Sequence, residues 1–146
     1  MKTNIEVRFT DVDSQLHVNH TAIVAYIAHC RVQLLRPIED WEEYSLLASN
    51  PLGPQHDHVL VHLAVNLCEP LHYPADVIVT GHVLEVGRKS VTTRFLVHSE
   101  KRLISDAECI NVVVDVGTTT SVPIPPGLHD LLTAQSDIPS AHGGNE

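Results

Sequence analysis

Basic residues are scarce. Nine Lys and Arg stand against 18 Asp and Glu in 146 residues, a formal net charge of -9. A duplex-binding protein needs a basic surface to displace counterions, so this balance argues against nucleic acid as a partner. Aromatic residues are few as well: two Phe, one Trp and three Tyr do not furnish an aromatic-lined pocket, and aliphatic residues dominate the apolar set. No run of about 18 apolar residues occurs, so no membrane insertion is expected. The opening MKTNIEVRFTDVD lacks the apolar h-region of a secretion signal. Cys30, Cys68 and Cys109 are the only cysteines. Their odd number and wide spacing read as reduced core thiols of a cytoplasmic protein, not as a disulfide frame. There is no internal repeat and no low-complexity tract.

What remains is sufficient for a core. The chain is 43% hydrophobic and 18% charged, in keeping with one folded domain. That domain is expected over residues 1–134, with 135–146 a flexible tail. Residues 4–9 alternate as a strand, with Ile5, Val7 and Phe9 on one face. A helix is expected over 21–35, because Ile23, Ile27, Cys30 and Leu34 recur at helical spacing and Val24 widens the stripe. Asn19 fits its N-cap, and Pro37 ends it. A weaker helical piece is expected over 39–48, and Asn50-Pro51-Leu52-Gly53-Pro54 reads as a loop.

Beyond that point the pattern is β. Val59, Val61, Leu63, Val65 and Leu67 alternate along a long strand and predict one strongly apolar face, with Leu60 opposite the core rows. Further strands are expected over 77–86, 90–98 and 103–116, with Gly87 turning the first of these into the second. A short helix is expected over 127–132. One strand, one mostly apolar helix and a run of antiparallel strands make an α+β, two-layer arrangement.

The chemistry concentrates between the first strand and the helix, in Phe9, Asp11-Val12-Asp13 and Leu16-His17-Val18-Asn19-His20. A carboxylate at Asp13 can act as nucleophile or general base, and the helix N-terminus can hold a developing oxyanion. The same spacing equally suits a solvated turn and a helix cap. The spacing alone leaves both open.

These residues resemble the opening motif of the hot-dog-fold acyl-CoA thioesterases, the 4-hydroxybenzoyl-CoA thioesterase-like family. The family pattern is an aromatic, D-x-D, then G-H-V-N-N and a helix ending in E-x-A-R. Downstream, Glu69-Pro70-Leu71-His72-Tyr73 with Asp76 is similar to its P-L-x-Y-x-D turn. Gly87-Arg88-Lys89-Ser90 is similar to its G-x-K-S hairpin, and Pro123-Ile124-Pro125 to its closing I-P. The resemblance implies a long antiparallel sheet wrapped around one central helix. It makes Asp13 the catalytic carboxylate and the His20 backbone N–H the donor to the thioester carbonyl, with His17 and Asn19 in the same segment. It also implies a homodimer or homotetramer with its site at a subunit boundary. Leu16 departs from the family Gly, His20 from the second Asn, and Ala28 from the Glu.

Five of the nine cations, Arg88, Lys89, Arg94, Lys101 and Arg102, fall in one hairpin region. They read either as a patch for the phosphates of CoA or as charges guarding a sheet edge. Arg88, Lys89 and Ser90 are the candidate substrate contacts, with His58 and His62 facing a pocket. Eleven histidines raise the question of a metal: His56, His58 and His62 share strand parity, and His17 and His20 lie three apart. Zinc sites use tighter clusters with carboxylate or thiolate help, so no metal and no resident cofactor are expected, and a CoA thioester enters as substrate. The expected reaction is hydrolysis of acyl-CoA. The alternatives are an acyl-carrier-protein thioesterase with a pantetheine-borne substrate and a non-catalytic acyl-thioester-binding protein.

Overall fold

Period-two alternation builds most of this molecule, and the strands follow it closely. The structure, a computed structural model, describes residues 1–39 and 56–134. The helical piece expected over 39–48, the loop over 50–54 and the tail from Gln135 lie outside the described residues, apart from the start of that piece. The elements are β1 (Lys2–Glu6), α1 (His20–Leu34), α2 (Arg36–Glu39), β2 (His56–Leu67), β3 (Asp76–Val86), β4 (Ser90–Ser99), β5 (Arg102–Asp115) and α3 (Pro126–Ala134). The strands form a five-stranded antiparallel sheet in the order β1-β3-β4-β5-β2, with α1 packed against it in a hot-dog fold.

The described residues divide between two compact units. The first takes Met1–Leu34, Leu63–Gly81 and Arg94–Glu108. In it β1 pairs with β3, from Lys2 opposite Thr80 to Glu6 opposite Asp76. Ile23, Ile27, Cys30 and Leu34 are buried, so the expected stripe is the packed face of α1. It meets Val79 of β3, whose carbonyl accepts from Cys30 Sγ at 3.8 Å. Gly81 makes this approach possible, because a Cβ there would lie 2.7 Å from the Phe95 ring and 3.2 Å from Cys30 Sγ. Each fully buried side chain of the size of Ile27 or Phe95 contributes about 1.5–3 kcal/mol over its exposed state. The second unit draws on the described residues among 35–62, 82–93 and 109–146. Its buried residues include Ile38, Val83, Val91, Val113, Leu128 and Leu132, and α2 contacts α3 there.

Four expectations are corrected. The first strand stops at Glu6, and Phe9 lies in a 3-10 turn, Phe9–Asp11, with 67% of its surface exposed. The cause is local: Asp11 turns the chain by accepting the Arg8 N–H on its side chain at 3.0 Å. On β2 burial alternates only over residues 56–61, and there it faces the other way; beyond it Val65 alone is half-buried. Val59, Val61, Leu63 and Leu67 are exposed, whereas His56, His58 and Leu60 are half-buried. This strand is an edge of the sheet, and among the described residues that apolar row is left exposed. Cys68 is exposed, unlike the buried Cys30 and Cys109. The five cations also do not make one patch, since they divide between two turns and the strand β4 that joins them. Arg88 and Lys89 precede β4 in the second unit, and Lys101 and Arg102 follow it in the first.

Candidate active site

The loop from Asp11 to Asn19 is a small closed structure. Its neck is held by the Asn19 N–H donating to the Asp11 carbonyl at 3.0 Å and by a bridge between Val12 and Val18. Inside it, the Asp13 N–H donates to the His17 carbonyl at 2.9 Å and the Leu16 N–H to the Asp13 carbonyl at 3.0 Å. The turn takes Leu16 to φ 62°, the left-handed region, where the resembling family has glycine. The loop is anchored outward as well: Val18 N–H donates to the Leu71 carbonyl, and Tyr73 N–H to the Leu16 carbonyl. The His17 and His72 rings meet edge-on at 4.4 Å.

Asp13 is exposed, and its Oδ1 accepts the backbone N–H groups of Gln15 at 2.9 Å and His17 at 3.0 Å. Both bonds fall on Oδ1, so Oδ2 receives neither. The His17 N–H first, and the Gln15 N–H next, hold this carboxyl below its ordinary range. It is therefore ionised at neutral pH and presents an oxygen to solvent.

α1 begins directly after the loop. Asn19 caps it, with Oδ1 accepting the Ala22 N–H at 2.9 Å and also meeting the Thr21 hydroxyl. The His20 N–H belongs to the first turn, whose donors have no partner inside the helix. No acidic side chain sits in that turn to neutralise the positive end of the helix dipole. A cleft of about 280 Å³ is lined by His20, Val18, Ile23, Leu67, Leu71 and Ile104, with Cys68, Glu69 and Pro70. Asp13 is not among the lining residues. The loop and helix start therefore gather Asp13, His17, Asn19 and His20, all within the first unit.

The other candidates lie in the second unit. Arg88 and Lys89 form the β3–β4 turn, closed by the Gly87 N–H donating to the Ser90 carbonyl at 2.8 Å. Arg88 is exposed, and Lys89 Nζ lies 3.5 Å from the Ser121 hydroxyl. The remaining cations divide by partner. Arg94 makes a two-pronged contact with Asp106 at 3.0 and 2.8 Å, and Arg102 pairs with Glu69 at 2.9 Å. Those two charges are already answered by carboxylates. His58 Nδ1 lies 3.0 Å from the amide nitrogen of Asn111, a residue only 1% exposed, while His62 is exposed on β2. Among the described residues, no three His, Cys, Asp or Glu side chains are grouped to hold a metal ion. Likewise, among the described residues no helix is long and apolar enough to cross a membrane.

Sequence reasoning misses two features. The apolar cleft needs Leu67 and Ile104 from strands far apart in the chain, and no spacing rule joins them. Tyr26 is buried at 4% exposure, with its hydroxyl donating to Asp11 Oδ2 at 2.6 Å. Its only signal is its place three residues after Ile23, on the flank of the apolar stripe.

Comparison with known proteins bears on this arrangement. A family model described as the thioesterase-like superfamily matches residues 7–132. A thioesterase of Thermus thermophilus, solved in complex with coenzyme A and Zn, is 21% identical. The alignment covers 94% of this chain and 95% of that one, with a TM-score of 0.76. A thioesterase-superfamily protein of Jannaschia is 20% identical over 94% of this chain and 83% of that one, with a TM-score of 0.77. A search of curated protein sequences finds no match.

Proposed function

The chain belongs to the thioesterase-like superfamily and is a thioester hydrolase; on that footing we propose that its substrate is an acyl-CoA, cleaved by Asp13 at the start of α1. The observation that carries this reading is the ionised, exposed Asp13 carboxylate in the same closed loop as the helix N-terminus. The coenzyme A bound to the Thermus thermophilus neighbour supports the choice of thiol.

Two routes use the same groups. In one, Oδ2 of Asp13 attacks the thioester carbonyl carbon and the C–S bond breaks. CoA departs as the thiol after taking a proton from solvent, and water then splits the resulting anhydride. In the other, Asp13 takes a proton from a water that attacks the same carbon, and that proton leaves with the thiol. Either way a tetrahedral oxyanion forms, and the His20 N–H with the positive end of α1 stabilises it. Asn19 sets the geometry of that helix start, and the His17 N–H holds Oδ1 of Asp13 in place.

The aliphatic side chains of the cleft suit a fatty acyl chain. Arg88 and Lys89 would meet phosphates of CoA, with Ser90, His58 and His62 as further contacts. In this reading the working form is a homodimer or homotetramer in the cytoplasm.

The test is Asp13→Asn, assayed for thiol release over acyl-CoAs of increasing chain length. Turnover is expected to fall at least about a hundredfold with substrate binding retained. Wild-type turnover in that variant would overturn the reading. A preference for acyl-carrier-protein over every acyl-CoA would move the substrate to the protein-borne thioester.

A further inference from the structure

The Asp11 carboxylate stands apart from the chemistry assigned to Asp13. It is 8% exposed and belongs to the turn immediately before Val12 and Asp13. A buried carboxylate is costly unless its oxygens are answered. Here Oδ2 accepts the Tyr26 hydroxyl at 2.6 Å and the Arg8 N–H at 3.0 Å, and the Arg8 guanidinium lies 3.6 Å from Oδ1. A turn cap needs only the Arg8 N–H. The bond to Tyr26 spans 15 residues, is buried, and comes from the second turn of α1.

The backbone of the same residue grips the helix a second time. The Asp11 carbonyl accepts from Asn19, the residue that caps α1. Asp11 is therefore tied to α1 at two levels, by its side chain at Tyr26 and by its main chain at the N-cap. The Asp13 loop begins and ends between these ties.

We infer that Asp11 and Tyr26 are positioning residues for thioester cleavage: their hydrogen bond fixes where the Asp13 carboxylate stands relative to the first-turn N–H groups of α1. This rests on the reading of Asp13 as the catalytic carboxylate. Two further observations support it. Burial pulls the Asp11 carboxyl up, yet the Tyr26 hydroxyl and Arg8 together bring it below its ordinary value, so it is an ionised acceptor at neutral pH. On the other side, burial first and Asp11 next push the Tyr26 phenol up, so it remains a donor.

Steady-state kinetics on one acyl-CoA test this, with Tyr26→Phe, Asp11→Ala, Asp11→Asn and Asp13→Asn compared. A displacement of about an ångström at a reacting group can cost about a hundredfold in rate. Tyr26→Phe, which keeps the ring and loses only the donor, is therefore expected to lower kcat about tenfold or more with KM within about twofold. Asp11→Asn, still an acceptor for Tyr26 and Arg8, should restore most of the kcat lost in Asp11→Ala. The Gln15 and His17 amide resonances, which report the Asp13 contacts directly, should shift in Tyr26→Phe. An unchanged kcat, or a rise in KM alone, in a folded Tyr26→Phe protein overturns the inference. If Asp13→Asn is inactive in that same assay, the reading of Asp13 survives the failure. If Asp13→Asn keeps full turnover, that reading fails instead, while the amide resonances still report whether the clamp holds the loop. Should Asp11→Ala not fold, Tyr26→Phe decides alone.

Discussion

At Leu16 the backbone and the side chain disagree. The residue sits at φ 62°, where a Cβ costs about 1–2 kcal/mol against a right-handed conformation. Its side chain is 46% exposed, so little burial is lost by removing it. Glycine relieves the strain but adds disorder to the unfolded chain, which takes back about 0.5–1 kcal/mol. Leu16→Gly is expected to raise stability by about 0.5–1 kcal/mol on balance, read as a higher urea midpoint with unchanged slope. A midpoint lowered by the full glycine cost would mean the left-handed turn carries no strain. This departure from glycine is visible in the sequence, but its conformation is not, because φ at one residue depends on how the loop closes through Asp13 and His17. The carboxylates of D-x-D are equally visible as a pair. What separates them is burial: Asp13 faces solvent, and Asp11 faces a tyrosine 15 residues away that no local spacing reveals.

Among the elements, the β3–β4 turn and α1 show what local pattern can and cannot carry. Helical spacing and an Asn cap place α1 within one residue of its actual bounds, because both signals are properties of adjacent turns. The cations of the strands are different. Arg94 finds Asp106 across the neighbouring strand and Arg102 finds Glu69, and such pairings depend on register rather than on the order of charges in the chain. Arg88 keeps its exposure in the turn, and the Lys89 head group lies against the Ser121 hydroxyl. Arg88→Ala combined with Lys89→Ala should raise KM for an acyl-CoA more than for the matching acyl-pantetheine, which lacks the nucleotide. Rising ionic strength should narrow the gap, since exposed charges are screened over about 10 Å at 0.1 M salt. Equal effects on both substrates would remove the phosphate role from this turn.

At the scale of the whole molecule, the succession of strand, helix and antiparallel strands is legible because each period belongs to a continuous segment. Which face of β2 is covered is not legible, because alternation says which residues share a side and not what lies over it. The answer comes from burial: Val59, Val61, Leu63 and Leu67 are exposed along β2, which is also an edge of the sheet. Pairing with a second copy along β2 would satisfy the edge. Activity is then expected to fall on dilution in step with dissociation, followed by sedimentation and thiol release on the same samples. A fully active monomer would remove the subunit boundary from the site. The two margins of the sheet differ sharply in what they offer a neighbour. β2 is 12 residues long with an apolar row, while β1 has five residues, with Lys2 and Glu6 at its ends and exposed. A two-fold union through the long margin would consume it on both partners and leave outside only the short margins that carry Lys2 and Glu6. Five-residue edges with charged ends are poor templates for strand-by-strand addition, so such a union would also set a limit against fibrous growth.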